Sequence, residues 1–414
     1  MTFKSFIGER NFKQEHYISI LATGVIAFPP LISLIIRVIR QIIVLPYKID
    51  TVAFYGIIVL LVVLSFITIL KRLKANVIVI IGFLILSFCI SFLYKNSDQS
   101  VLVNLMINFL LFSVPALIIM YVVKDYKLFL KYFNIGMILI LTSVIIEYFF
   151  ISDSAILAEQ YSQQQAYLLL YPSIFFFYSI VRTHKMKLTY TTLFLITTFL
   201  LISMGARGPL LTLIAYMIFN VILLVVQKRK FWVSIPIFTI IALYFVFQES
   251  ILTYVYEFIV NLGLSTRTIE RLLNGTFFLD SSRMEIYKFS FETILDSPLI
   301  GFGLGNDRIV LSGYLGLSNY SDIMGMYSHN ILLEILMAYG LIFGILIIIW
   351  LCTGFFITLH ESKNNTYKDI LVMFLFFAFV PLLFSGSFLE SPIFFSLIGI
   401  ALSQHKRMNW KGIK

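Results

Sequence analysis

Charge is scarce in this chain of 414 residues. Asp, Glu, Lys and Arg together make up 13% of it, while hydrophobic residues make up 60%. A chain so poor in charge cannot cover a water-soluble core, so a soluble enzyme or binding module is excluded. Cysteine is nearly absent: Cys89 and Cys352 both fall inside apolar runs and give no hint of disulfide or metal chemistry. No metal and no cofactor is expected. Acidic residues number 21 against 31 basic ones, a net charge of +10. Such an excess can mark a nucleic-acid partner, but here the positive charge is sorted loop by loop, and no nucleic acid is expected.

What fills the chain is apolar runs of around twenty residues, the length that crosses hydrocarbon as a helix and far longer than a barrel strand. The expected fold is an all-α polytopic membrane protein of about 12 transmembrane helices, near 17–36, 52–70, 76–94, 101–123, 129–150, 166–181, 188–204, 208–226, 231–248, 330–357, 369–384 and 391–404. The polar start carries no small-residue cleavage signature, so the first helix is expected to stay attached. With the N-terminus inside, Lys and Arg favour the cytoplasmic segments over the short outer loops by about four to one. Both termini are therefore expected in the cytoplasm.

This map divides the chain into nine helices over 1–248, a large outer loop over 249–328, three further helices over 329–404 and a basic cytoplasmic tail over 405–414. His16, His184, His360 and His405 fall in cytoplasmic segments; only His329 lies outside. The outer loop is too long to be a mere connection. Its apolar spacing predicts three short helices, the last over DSSRMEIYKFSFETILDSP, with Ser282 and Glu285 in capping-box spacing. Met284, Tyr287, Phe291, Ile294 and Leu295 would form that helix's apolar face. Arg283 sits in its first turn, where it is either an ordinary exposed arginine or part of a phosphate site made with the helix amides. The following LIGFGLGND alternates Gly301, Gly303 and Gly305 and is read as a turn rather than a dinucleotide fingerprint. Arg207, in GARGP at the membrane edge, is either a snorkelling arginine in a tight turn or an anion clamp.

Taken in order, GARGP at 205–209, DSSR at 280–283 leading into SPLIGFGLGN, and SHNILLEILMAYGLIFG at 328–344 resemble the signature regions of the O-antigen ligase and polysaccharide polymerase family. The resemblance implies a GT-C-like glycosyltransferase that moves a glycan from undecaprenyl pyrophosphate to an acceptor on the outer face of a bacterial inner membrane, inverting and without metal. It implies that Arg207 and Arg283 hold the pyrophosphate and that His329 is the essential histidine. The chemistry fits: guanidiniums can steady the charge gathering on a pyrophosphate leaving group, and an imidazole can take the proton from an attacking sugar hydroxyl.

Asn330 can orient His329 or a sugar hydroxyl, and Glu334 can face the same cavity; helix capping and packing are the plainer roles for both. Gly340 and Gly344 have GxxxG spacing, expected to serve close helix packing. Glu147, Asp153 and Glu159, with Tyr161, Gln163 to Gln165 and Tyr167, form either an acceptor-binding surface or a solvated loop. The expected activity is polymerisation of lipid-linked O-antigen or capsule repeat units. Ligation of finished polysaccharide to lipid A core or protein shares the same motifs, and transport of the lipid is the more distant alternative. Expected partners are the undecaprenyl-pyrophosphate-linked donor and acceptor, membrane lipids, a chain-length regulator and a flippase.

Overall fold

A computed structural model describes residues 3–42, 72–94, 97–151, 163–183, 186–204, 206–228, 252–261, 266–275 and 281–404, with residues 56, 69 and 250 besides. All regular secondary structure among them is helical. In chain order the helices are α1 (Phe3–Ile42), α2 (Ala75–Ser91), α3 (Gln99–Val122), α4 (Tyr126–Ile146), α5 (Gln163–Arg182), α6 (Lys187–Ser203), α7 (Arg207–Lys228), α8 (Arg267–Leu273), α9 (Ser281–Asp296), α10 (Asn306–Tyr314), α11 (Tyr320–Gly325), α12 (Ile331–Glu361), α13 (Asn365–Phe377), α14 (Phe379–Leu382) and α15 (Pro392–Gln404), and residues 252–261, ahead of α8, are helical as well. Among the described residues, five stretches are long and apolar enough to cross a membrane: Lys13–Ile39, Gln99–Val122, Tyr126–Phe149, Ile331–Glu361 and Asn365–Leu382. This is the fold of an α-helical membrane protein. The expected spans at 52–70 and 231–248 lie largely outside the described residues, as does the tail over 405–414; each of the other expected spans coincides with a helix.

The chain forms two compact units. One comprises residues 1–32, 44–136 and 280–414; the other comprises residues 33–43 and 137–279. In the first, α15 packs along α3 so closely that a Cβ on Gly399 would collide with the Leu117 carbonyl. Phe129, Phe133, Phe374 and Phe377 stack beside them with centroids 5.2 to 6.3 Å apart. Within α3, residues Phe109–Ser113 widen into a π turn just ahead of Pro115, whose missing N–H leaves the preceding turn one bond short. In the second unit, α5 packs on α6 and α7 through Phe177, which meets Phe194 at 5.5 Å and Tyr216 at 6.1 Å.

Two sequence expectations change here. The buried stripe of α9 is Ile286, Ser290, Thr293 and Ile294, whereas Met284, Phe291 and Leu295 are more than half exposed. In a chain this apolar, hydrophobic residues are not forced inward, so their periodicity stops marking the core; the small hydroxyl residues do, because they let α9 lie close to α12. Ile286, Ile294, Leu311 and Met337 form the shared core of α9, α10 and α12. Gly340 is more than a packing glycine. With φ 77° and ψ 173° it interrupts α12, and the LIGFG segment docks into the break. Phe302 N donates to Met337 O at 2.8 Å, Gly303 N to Ala338 O at 2.9 Å, and Leu341 N to Pro298 O at 2.7 Å. A Cβ on Gly301 would collide with the Gly340 amide, so the alternating glycines let two backbones touch.

Candidate functional site

The site is built in the first unit, around the start of α12. Asn330 caps that helix: its side-chain oxygen accepts from Leu332 N at 2.9 Å and Leu333 N at 3.4 Å, and its amide donates to Leu383 O at 3.2 Å. To reach that cap the chain turns at His329, whose φ of 53° lies in the left-handed region. A non-glycine residue pays about 1 kcal/mol or more to stay there, and such residues cluster where geometry matters to function. Tyr287 on α9 donates to the His329 carbonyl at 3.4 Å, and the Tyr327 ring lies against the imidazole with centroids 4.3 Å apart. His329 is half-buried.

Much of this unit's polar chemistry converges on one short loop, residues 383–390, between α14 and α15. Its Phe384 carbonyl accepts from Arg283 Nη1 at 2.6 Å, which orients the guanidinium fork. Leu383 receives Asn330. Glu334, 1% exposed, accepts from the Ser387 hydroxyl and from Phe388 N at 3.0 Å, clamping the loop to α12. Arg283 and the His329 turn are thus tied to the same few backbone atoms, although 46 positions apart in number (329 − 283). Neither the loop nor its clamp was legible in the sequence, because much of its bonding is through main-chain atoms that any residue supplies.

Beneath it lies a buried charge cluster that sequence reasoning also missed. Arg308 on α10 is 0% exposed; Nη2 donates to Glu390 Oε2 at 2.7 Å, Nη1 donates to the Met324 carbonyl, and the guanidinium carbon lies 5.6 Å from the Tyr327 ring centroid. Burial works against the Arg308 charge, but Glu390 and Asp307 outweigh it and its pKa is raised. Neighbouring Asp307 is 1% exposed, and burial pushes its carboxyl up to about 6 against the pull of Arg308. Burial likewise raises the Tyr327 phenol, whose oxygen meets Ser385 and the Gly386 amide. The available signal was Arg308, Leu311 and Ser312 sharing one face of a short helix at i, i+3 and i+4.

The other expected residues lie in the second unit or outside the described residues. Arg207 opens α7, where Gly208 leaves room for the Tyr167 hydroxyl. Glu147 is 7% exposed, on a π turn that ends α4, and its Oε1 is shared by Arg37 and by Gln165 Nε2 at 2.7 Å. Asp153, Glu159 and Tyr161 lie outside the described residues. Along α2 and the second half of α12, an apolar groove of about 480 Å³ is lined by Phe83, Ile90, Phe302, Phe343 and Leu346, with Ser87 and Tyr339 its main side-chain polar groups. Among the described residues no group of His, Cys, Asp and Glu is arranged to hold a metal ion.

An arginine fork, an oriented imidazole and an apolar groove in one unit suit a lipid-bound anionic substrate whose reaction moves a proton. Comparison with known proteins agrees with that class: residues 192–349 match the family model described as O-antigen ligase (Wzy_C). The matched stretch contains Arg207, Arg283 and His329. Among curated proteins, the chain is similar to the ComP-specific O-oligosaccharyltransferase of Acinetobacter baylyi (strain ATCC 33305 / BD413 / ADP1), at 28% identity over 216 residues. That match covers 46% of this chain and 37% of the relative, so the chain spans little more than a third of the relative's length.

Proposed function

We propose that this protein is a membrane glycosyltransferase that moves a glycan from a lipid pyrophosphate onto an acceptor hydroxyl, with inversion and without metal. The observation that carries the reading is the shared tether of Arg283 and the His329 turn to the 383–390 loop. In this reading Arg283 binds the pyrophosphate and steadies the charge that gathers as the glycosidic bond breaks. His329 takes the proton of the attacking hydroxyl, and the apolar groove receives the prenyl chain of an undecaprenyl-type donor. Arg207, which lies in the matched stretch, is assigned to the pyrophosphate as well. The active site faces outward from a bacterial inner membrane, with both termini in the cytoplasm.

As the finer assignment we take polymerisation of repeat units, in which the acceptor hydroxyl belongs to a second lipid-linked unit and one class of substrate serves both sides. The second reading is ligation to a different acceptor, favoured by the descriptions of the matched family and relative. Purified protein given lipid-linked repeat unit and no other acceptor decides between them. Lengthened products support polymerisation; no lengthening, followed by transfer once a lipid A core or protein acceptor is added, supports ligation. Loss of neither donor nor acceptor under any pairing would remove the glycosyltransferase reading.

A further inference from the structure

We infer that Arg308 is a positioning residue for His329, acting through the Tyr327 ring that it holds against the imidazole. The inference rests on the proposed role of His329, and it extends the site to a residue outside all three sequence motifs.

The chain of contacts is short and made of planar groups. Glu390 at 2.7 Å and the Met324 carbonyl fix the guanidinium at two nitrogens; its carbon lies 5.6 Å from the Tyr327 centroid, and that ring meets the His329 imidazole at 4.3 Å. Ser385 and the Gly386 amide hold the far end of the same tyrosine by its oxygen. Tyr327 is thus restrained at its hydroxyl by the 383–390 loop and attracted across its face by a cation, and it leaves the imidazole a restricted set of orientations. The His329 backbone, in the left-handed region, adds a further constraint.

Tethering the loop alone does not account for an arginine here. Burying a guanidinium is costly even when it is paired, and an apolar side chain of similar volume could fill the space more cheaply. The Arg308 Nε is also buried without an acceptor, so the fork is imperfectly satisfied. What an apolar residue could not supply is a fixed cation against an aromatic face. Arg308 touches neither a proposed substrate group nor the imidazole, which makes it a positioning residue rather than a catalytic one.

The test reads the imidazole directly and needs no glycan. Full-length protein labelled at histidine is placed in lipid nanodiscs, and His329→Ala assigns the His329 ring resonances by NMR. Arg308→Met and Tyr327→Leu should each move those resonances more than any other histidine's. The double variant should add little to either single one, since both break the same chain. Glu390→Gln, which leaves the guanidinium present but loosens an anchor, should move them less and in the same direction as Arg308→Met. If Arg308→Met does not fold, Glu390→Gln and Tyr327→Leu carry the comparison. With lipid-linked repeat unit as substrate, kcat should fall by about 10²-fold in Arg308→Met while KM changes little, as expected for a misplaced reacting group. Arg308→Lys, keeping a cation but not the fork, should recover part of it. His329 resonances that stay in place in the folded variants, alongside lowered thermal stability, would reduce Arg308 to a structural residue and overturn the inference. Shifted resonances in a protein that transfers no glycan even as wild type would leave the positioning role standing and remove the proposed function.

Discussion

Replacing Gly340 with alanine should cost this protein far more than a typical helix substitution. The backbone at Gly340, with φ 77° and ψ 173°, lies in a region open essentially to glycine alone, so an added Cβ costs on the order of 1 to 3 kcal/mol in strain. The new methyl would also stand 2.8 Å from Leu299 C and from Pro298 O, which are backbone atoms that cannot swing aside. Relief requires the 298–303 segment to lift away, loosening the bonds from Leu341 N, Phe302 N and Gly303 N. At about 0.5 to 1.5 kcal/mol each, those bonds bring the total to roughly 3 to 7 kcal/mol, a large part of a usual stability of about 5 to 15 kcal/mol. Thermal unfolding of detergent-purified Gly340→Ala should fall on the order of 5 to 10 °C, with transfer activity lost at a temperature the wild type survives. Gly354, on the same helix, has nothing within 4 Å of its would-be Cβ. Gly354→Ala should match or slightly exceed the wild type, because alanine is the better helix former by up to about 1 kcal/mol. A Gly340→Ala protein that melts within about 1 °C of wild type and transfers glycan normally would falsify the docking argument, since neither strain nor lost bonds could then be real.

His329→Gln should fold, insert and bind lipid-linked donor yet make no polymer, because an amide can hydrogen-bond the acceptor hydroxyl but cannot accept its proton; polymer of normal amount and length from this variant would end the general-base assignment. Arg207→Lys and Arg283→Lys should each cut transfer sharply, since an ammonium cannot reproduce the planar fork, and unchanged kcat/KM in either would remove that residue from the pyrophosphate. Asp307 offers a pH test. Its carboxyl rises from 3.8 to about 6 on folding, so the native state binds the extra proton between those values and stability falls as pH rises through that window. Asp307→Asn should therefore gain in melting temperature relative to wild type at pH 7 and lose that advantage near pH 4; a constant difference at both would refute the buried-acid reading.

The helices were legible because apolar runs of membrane-spanning length leave little choice of structure, and each expected span that falls on described residues coincides with a helix. Their faces were less legible: the apolar arc of α9 named Met284, Phe291 and Leu295, while packing within the unit buried Ser290 and Thr293 instead. His329, Arg283 and Asn330 stood out as polar groups at helix starts. Glu334 was visible as a residue but not as a clamp, since its partners are a hydroxyl and an amide more than fifty positions away. GLIFG reads equally well as a continuous packing helix or as a broken one, and only the LIGFG segment, lying elsewhere in the chain, decides for the break.

The break at Gly340 also separates two regimes within one helix. Before it, Ile331, Glu334, Ile335, Met337 and Ala338 are buried by protein; beyond it, Ile342, Phe343, Leu346, Ile349 and Trp350 are half-exposed or more, in the position of residues that meet lipid. The docked 298–303 segment bonds to both sides of that break, so the half that carries Asn330 and follows His329 keeps its protein surroundings while the half beyond presents its side chains to lipid, and one helix serves two solvents.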